Sequence, residues 1–174
     1  WLSKKLPWRL AEQIKIFRNL NKDFSFLIFS DEERDNYMHN NWRDHGIYKI
    51  YCNSIFQPSK ADIWRYCILY ERGGFYFDIK SGCNLPLKKL KKSDGAIISF
   101  EPFINTCLPH LECINKVENS INNVENWGFG FRKNHQLLKM TIDNICKYSN
   151  HIRNKVFENP KSAILAFTGP GMLT

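Results

Sequence analysis

The stretch that decides the fold is Arg72-Gly-Gly-Phe-Tyr-Phe-Asp-Ile-Lys-Ser-Gly-Cys-Asn-Leu-Pro-Leu87. Gly73 is placed to end a helix in the left-handed conformation, and the glycine after it leads into residues 75–79, which are rich in strand-favouring aromatics. Asp78 lies near the end of this predicted strand, and Lys80 follows two positions later. Two interpretations of Asp78 stay open: half of a metal site whose second carboxylate is absent, or an aspartate that turns the chain at a strand end.

Helical patterns and short apolar runs alternate on both sides of this stretch. Apolar periodicity and capping signals predict helices at residues 7–20, from Ser30, from Pro58, at 137–145 and, with a weaker pattern, at 162–167. Apolar runs of strand length lie at 24–29, 75–79, 96–100 and 129–131. This alternation predicts an α/β domain with a mostly parallel sheet flanked by helices. Ligands bind such sheets beyond the carboxyl ends of the strands, which is where Asp78 is expected.

Asp62 and Arg65 are three positions apart on the helix predicted from Pro58, so they share one of its faces. A carboxylate beside a guanidinium can hold the hydroxyl groups of a polar ligand. However, Ser59-x-x-Asp62 also has the form of a capping box, in which case Asp62 marks a helix start and Arg65 is its surface partner. The local pattern alone favours the capping interpretation by roughly two to one.

Composition narrows the classes of function. A chain of 174 residues with 43% hydrophobic residues is suited to one domain with a real core, and no apolar run approaches the ~18 residues of a membrane span. The net charge of +8 raises the hypothesis of a nucleic-acid binder, but no nucleic-acid motif accompanies the basic run at residues 88–92, which is typical of a solvated loop. The six cysteines show no Cys-x-x-Cys spacing, which disfavours zinc.

Taken in order, the motifs resemble the core of the family 32 glycosyltransferases. That family pattern is Ala-Asp-x-x-Arg-Tyr, a leucine-tyrosine step, Gly-Gly-x-Tyr-x-Asp-x-Asp and Pro-Leu. The matching segments are Ala61-Asp-Ile-Trp-Arg65, Leu69-Tyr70, Gly73-Gly-Phe-Tyr-Phe-Asp78 and Leu85-Pro-Leu87. The family includes yeast-type mannosyltransferases, sugar transferases of sphingolipid synthesis and capsular polysaccharide enzymes, and it is similar to the catalytic domains of the large clostridial glucosylating toxins.

The resemblance extends thinly toward both ends of the chain. Residues 1–7, 21–24 and 167–171, together with Asn126 followed by His135, resemble further family segments. We therefore expect residues 1–174 to form one catalytic domain that lacks the family's opening strand before Trp1 and its final part after Thr174.

The resemblance implies a GT-A fold, which is a Rossmann-like open sheet that binds a nucleotide-sugar. It implies transfer of a hexose, with retention of configuration, from a UDP- or GDP-sugar to a glycan, lipid or protein acceptor. It also implies Mn²⁺, or Mg²⁺, at the Asp-x-Asp motif, where the ion stabilises charge on the leaving diphosphate. Localisation stays open between the cytoplasm and Golgi or ER membranes, with membrane association through segments outside this sequence.

Position by position, the resemblance assigns roles to individual residues. Asp78 matches the first aspartate of Asp-x-Asp and is the expected metal ligand, and Asp62 and Arg65 match the pair that grips the donor sugar. Asp78, Asp62 and Arg65 are thus the expected catalytic residues. The expected donor site contains these three residues with Trp1, which stacks on the nucleotide base, and with Gly74, Tyr76, Lys80 and Asn126.

Lys80 departs from the family pattern, because it stands where the second aspartate of Asp-x-Asp belongs. Three outcomes follow. The Lys80 ammonium replaces the metal ion beside the diphosphate, a metal still binds through Asp78 and a ligand elsewhere, or the domain is catalytically inactive and binds a carbohydrate or a partner. The last outcome is the alternative to an active transferase.

Overall fold

The computed structural model describes residues 6–90, 95–102 and 122–174. The helices are α1 (Trp8–Leu20), α2 (Asp31–Trp42), α3 (Gly46–Asn53), α4 (Gln57–Arg72), α5 (Gln136–Tyr148), α6 (Pro160–Phe167) and α7 (Pro170–Leu173). The strands are β1 (Gly74–Phe77), β2 (Ala96–Ile97), β3 (Phe100–Pro102), β4 (Asn122–Val124) and β5 (Gly128–Phe131). Short 3₁₀ turns cover Leu87–Lys89 and Ser149–His151. The described residues therefore form a mixed α/β structure.

The strand pairs of the described residues are antiparallel. One sheet has the order β1-β5-β2, and a second consists of β3 and β4. These pairs differ from the mostly parallel sheet expected from the sequence. In the three-stranded sheet, β5 lies between β1 and β2, and both of these strands run antiparallel to it. Residues 25–29, which fall in a predicted strand, belong to no described helix or ladder. The run predicted as one strand at 96–100 is divided between β2 and β3.

Two predicted signals for helix ends, the capping box of α2 and the glycine end of α4, are present in the structure. Ser30 accepts a hydrogen bond from the Glu33 backbone N–H at 3.2 Å, and the Glu33 carboxylate accepts from the Ser30 N–H at 2.7 Å, which completes the capping box of α2. At the other end of the helical region, α4 stops at Gly73, whose φ of 69° requires glycine. The ψ of −171° at Gly73 lies outside the left-handed helical region, so the chain turns directly into β1.

The core lies between α4 and the sheet. Ile63, Tyr66 and Cys67 of α4 are fully buried, and they belong to one cluster with side chains of α2, α3, α5, α7 and β5. The Tyr66 ring stacks against Phe129 of β5, with the ring centroids 6.3 Å apart. This packing holds α4 against one face of the sheet. Among the helices described, none is long and apolar enough to cross a membrane.

The opposite face of the sheet is built from glycines and aromatic rings. Along β5, Phe129 and Phe131 are buried in the core, while Gly128 and Gly130 alternate with them and so face the other way. The rings of Phe75 and Phe77 lie over these glycines. A methyl group on Gly130 would stand 2.6 Å from the ring of Phe75, so no larger side chain fits there.

Replacing Gly130 tests this face. We expect Gly130→Ala to lower the free energy of unfolding by about 1–3 kcal/mol, because the new methyl group must displace the Phe75 ring. The matched control is Gly46→Ala, whose methyl group would meet its nearest neighbour, the Cys146 Sγ, at 3.9 Å. Thermal unfolding of both variants measures the difference, and equal melting temperatures would show that the face is not tightly packed.

Candidate functional site

The guanidinium of Arg65 joins the groups that the sequence singled out. Its Nη2 lies 3.1 Å from Oδ1 of Asp62 and 3.5 Å from Oδ1 of Asp78. Nη1 donates to the backbone carbonyl of Asn126, and the guanidinium carbon lies 4.5 Å from the centre of the Tyr76 ring. The expectation that Asp62, Arg65 and Asp78 converge at the end of β1 is met in the geometry, although their roles stay predictions.

Asp62 is held from three directions. Its Oδ1 accepts from Arg65 and, at 3.1 Å, from the side-chain amide of Asn126, while its Oδ2 accepts from the Thr168 hydroxyl at 3.0 Å. The side chain of Asp62 is 7% exposed. The capping interpretation of Asp62 is wrong, because α4 begins at Gln57 and Asp62 is a buried residue of its second turn. The carboxylate is an internal acceptor that fixes Arg65.

Burial sets the electrostatics of this pair. Desolvation raises the pKa of Asp62 to about 6, against the opposing effects of the Arg65 charge and the Thr168 hydrogen bond. Burial acts to lower the pKa of Arg65, but the neighbouring Asp62, Tyr76 and Asp78 raise it on balance. At neutral pH the carboxylate and the guanidinium therefore face each other as charged groups.

Asp78 presents the accessible carboxylate of the site. Its side chain is 43% exposed, and its Oδ1 accepts a hydrogen bond from the Tyr76 hydroxyl at 2.6 Å. Within the ranges the structure describes, Oδ2 of Asp78 makes no hydrogen bond. Burial, more than any other effect, raises the pKa of Tyr76, so its hydroxyl stays protonated as a donor. Asp78 can therefore accept a hydrogen bond from a ligand, or bind a cation, through Oδ2.

The turn between β4 and β5 completes the site. Asn126 contributes both its carbonyl, to Arg65, and its amide, to Asp62. The neighbouring Trp127 accepts the Asp78 backbone N–H at 2.8 Å and is 38% exposed. Asn126 is thus brought to the site as the resemblance implied, but as a support of Arg65 and Asp62 that lies behind the open surface.

Thr168 is a site residue that the sequence analysis did not assign. It is fully buried, its hydroxyl donates to Asp62, and its carbonyl accepts from the Tyr66 hydroxyl at 2.8 Å. The available signal was its place in the Thr168-Gly-Pro segment, which resembles a family motif. The contact joins residues 106 positions apart, so no local pattern could have predicted it.

A cleft of about 1060 Å³ opens beside the site. Arg65, Tyr76, Asp78, Lys80 and Trp127 line it, whereas Asp62 and Asn126 do not. The exposed Lys80 therefore lies at the cleft, and its place in a donor site stays a prediction. Gly74 lies at the far end of β1 from Asp78 and borders the same cleft. Trp1, the expected base-stacking residue, lies outside the described residues.

The two carboxylates offer few free oxygens to a divalent metal ion. Both carboxylate oxygens of Asp62 accept hydrogen bonds from protein donors. Of the four carboxylate oxygens of Asp62 and Asp78, Oδ2 of Asp78 is therefore the one available to a metal ion. Among the residues described, no group of three His, Cys, Asp or Glu side chains could hold a metal ion. The residues in place therefore do not make a metal site on their own, whereas Mg²⁺ and Mn²⁺ are held by several oxygen ligands.

The fold is similar to that of a solved glycosyltransferase. The PaToxG glycosyltransferase superposes with a TM-score of 0.64 over 99% of this chain and 64% of that chain, at 14% sequence identity. At this level of identity, the likeness concerns the fold.

Three curated proteins of Schizosaccharomyces pombe are similar in sequence. Inositol phosphoceramide mannosyltransferase 3 is 21% identical to this chain over its whole length. Inositol phosphoceramide mannosyltransferase 1 is 27% identical over 59% of this chain. Inositol phosphoceramide mannosyltransferase 2 is 30% identical over 52% of this chain. The matches cover 42%, 33% and 26% of the lengths of these relatives, in the same order. The chain thus spans less than half of each relative.

Residues 7–97 match the model of a family described as the glycosyltransferase sugar-binding region containing the DXD motif. The matched segment includes α4, β1 and the Asp78-Ile-Lys80 sequence, and it covers more than half of the chain. This chain belongs to that family of glycosyltransferases.

Proposed function

We propose that this chain is the catalytic domain of a retaining glycosyltransferase that moves a hexose from a UDP- or GDP-sugar to a lipid, glycan or protein acceptor. The observation that carries the proposal is the Arg65 guanidinium, which joins the buried Asp62 to the accessible Asp78 at the edge of a large cleft. The relatives are named as inositol phosphoceramide mannosyltransferases, which favours a mannosyl donor and a sphingolipid acceptor as the first ligands to test.

In this proposal, the donor sugar binds against Asp78. Its free Oδ2 accepts hydrogen bonds from sugar hydroxyls, while the Tyr76 hydroxyl and Arg65 fix the orientation of the carboxylate from behind. Asp62 and Asn126 act one layer deeper, since they hold the Arg65 guanidinium in place. Asp62 is therefore proposed as a positioning residue, and the direct grip on the sugar is assigned to Asp78.

The diphosphate of the donor is assigned to Lys80. During transfer, the bond between the anomeric carbon and the diphosphate oxygen breaks and its electron pair stays with the diphosphate. The acceptor oxygen bonds to the same carbon and releases its proton to the departing diphosphate. A cation stabilises the charge that develops on the diphosphate, and we assign this role to the Lys80 ammonium, because Lys80 lines the cleft.

The alternative is a catalytically inactive domain of the same fold that binds a carbohydrate or a partner. The observation that favours it is the Asp78-Ile-Lys80 sequence, which departs from the Asp-x-Asp motif for which the family is described. Such a domain would retain Asp62, Arg65 and the cleft, so turnover decides between the two functions.

Release of nucleoside diphosphate tests the activity. With a panel of UDP- and GDP-sugars, we expect slow donor hydrolysis by the wild type and a roughly 100-fold loss in Asp78→Asn, since the variant removes the acceptor charge at the sugar. Asp143→Asn, an exposed change on α5, is the matched control and should keep full activity. A donor that raises the melting temperature but is never cleaved would support the inactive alternative. The absence of both effects for every donor would contradict the transferase.

Lys80 is tested by binding of nucleoside diphosphate to protein freed of metal with EDTA. We expect Lys80→Ala to weaken binding by about tenfold, which corresponds to roughly 1.4 kcal/mol. Lys80→Asp should bind in a Mn²⁺-dependent manner, because it restores the second carboxylate. Lys139→Ala removes an exposed charge from α5 and controls for net charge. The assignment fails if Mn²⁺ steeply strengthens binding to the wild type while Lys80→Ala leaves calorimetric affinity unchanged.

The raised pKa of Asp62 gives a pH dependence of stability. The pKa is about 6 in the folded protein and near 4 in the unfolded chain, so the folded state binds the extra proton between these values. The stability that Asp62 contributes is fully present below pH 4 and is lost as the pH rises through about 6. The difference in unfolding free energy between wild type and Asp62→Asn, measured with urea, should therefore fall from pH 4 to pH 7. A constant or rising difference would mean that folding does not raise the pKa of Asp62.

A further inference from the structure

Trp127 places an exposed aromatic side chain next to the accessible carboxylate of the site. The residue lines the cleft and is 38% exposed. Its carbonyl accepts the Asp78 N–H at 2.8 Å, and the carbonyl of the preceding Asn126 accepts from the Arg65 guanidinium. The hydrogen bonds that position Arg65 and Asp78 therefore also position the backbone from which the indole extends.

The indole of Trp127 takes no part in the aromatic packing of the core. Phe129, two positions further along the chain, packs on the rings of Tyr66 and Tyr76, with centroid distances of 6.3 Å and 5.7 Å. In the part of the chain that the structure describes, no aromatic ring or cation stacks on Trp127. A tryptophan carries a large apolar area, and a ligand that covers its exposed part gains free energy by removing that area from water.

The open indole and the carboxylate of Asp78 are together complementary to a pyranose ring. Such a sugar has hydroxyl groups around its rim and C–H groups on its two faces. The hydroxyl groups can donate to Oδ2 of Asp78, which makes no hydrogen bond within the described ranges. The C–H groups pack on the electron-rich face of an aromatic ring, and tryptophan offers the largest such face among the side chains.

We propose that Trp127 is the platform on which the hexose of the donor stacks while its hydroxyl groups bind Asp78. The inference rests on the proposed function, because that function places the sugar at Asp78. A carboxylate alone lets the sugar pivot about the hydroxyl groups that it holds, whereas a flat aromatic surface removes this freedom and fixes the direction of the anomeric carbon. An axial hydroxyl group on the stacked face would hold the ring away from the indole, so Trp127 also helps to select the hexose.

Two other ligand groups fit this position less well. The base of a nucleotide-sugar is separated from the hexose by the diphosphate, whereas Trp127 is hydrogen-bonded to Asp78 itself. The alkyl chain of a lipid acceptor would take the charges of Asp78 and the exposed Lys80 out of water without giving them a partner. A hexose has both the apolar face and the hydroxyl groups that this pair of side chains can use.

Calorimetry with a donor and with its nucleoside diphosphate isolates the sugar contact. We expect Trp127→Ala to weaken the binding of GDP-mannose, or of the UDP- or GDP-sugar that the wild type binds, by about tenfold. The affinity for the free nucleoside diphosphate should stay unchanged, because this ligand lacks the hexose. Trp127→Phe retains an aromatic face and should lose less than about threefold, whereas Trp127→Leu should behave like the alanine variant.

Trp8→Ala is the matched control, since Trp8 is 70% exposed on α1 and does not line the cleft. We expect it to bind the donor as the wild type does. If Trp127→Ala weakens the nucleoside diphosphate as much as the nucleotide-sugar, the indole contacts the nucleotide or only supports Asp78, and the inference is wrong. Unchanged donor affinity together with a raised KM for the acceptor would assign the platform to the acceptor and would also overturn the inference.

Free sugars separate a failure of this inference from a failure of the proposed function. With isotope-labelled indole nitrogens, the NMR signal that disappears in Trp127→Phe belongs to Trp127. If the wild type binds no nucleotide-sugar, the transferase fails, and we still expect methyl α-mannoside at high concentration to shift this signal but not that of Trp8. A Trp127 signal that no methyl hexoside shifts would then contradict the platform as well. If the donor is cleaved and Trp127→Ala binds it as the wild type does, the transferase stands and the platform is wrong.

Discussion

The structure of the site depends on one buried cation. Arg65 is 6% exposed, and its guanidinium is acceptable there because Asp62, Asp78, the Asn126 carbonyl and the Tyr76 ring surround it. Asp62 belongs to α4 itself, Tyr76 and Asp78 lie in and just after β1, and Asn126 lies in the β4–β5 turn. The ion-pair network therefore fixes α4, β1 and the β4–β5 turn against one another. A buried charge tolerates little displacement, which is why the accessible carboxylate of Asp78 has a defined position.

Simple geometry explains why the two aspartates meet. The sharp turn at Gly73 sends β1 back along α4. The distance from Gly73 to a residue of α4, measured along the helix axis, can therefore be compared with the distance from Gly73 to a residue along β1. Asp62 lies 11 residues before Gly73 on a helix that rises 1.5 Å per residue, and Asp78 lies five residues after it on a strand that rises about 3.3 Å. Both distances come to about 16 Å. The spacing between the helical pair and the strand-end aspartate is therefore a three-dimensional requirement of the site.

The sequence predicted the parts of this arrangement that local rules determine. The capping box of α2, the proline start and glycine end of α4, and the shared face of Asp62 and Arg65 all follow from spacing within a few residues. It could not predict that Asp62 is buried and saturated, because its partners Asn126 and Thr168 are distant in the chain. Strand direction was also out of reach, since alternation of helices and strands does not say which strands are neighbours. Residues 24–29 are strand-like in composition, but they belong to no ladder among the described residues.

The charge balance of the site explains how a lysine can stand at position 80. In formal charges, Asp62 and Asp78 contribute two negative charges and Arg65 and Lys80 two positive charges, so the four side chains sum to zero. With aspartate at position 80, the same site would carry three negative charges and one positive charge. A divalent cation would neutralise this net charge of −2.

The site with lysine at position 80 and the site with aspartate and a bound divalent ion therefore have the same total charge. The two sites differ in how the positive charge contacts a diphosphate. An ammonium offers three hydrogen bonds from a flexible stem, whereas a metal ion bonds to phosphate oxygens at fixed distances. Under the proposed function, lysine therefore preserves electrostatic attraction and gives up geometric precision, and we expect this difference to act more on the rate of transfer than on donor binding.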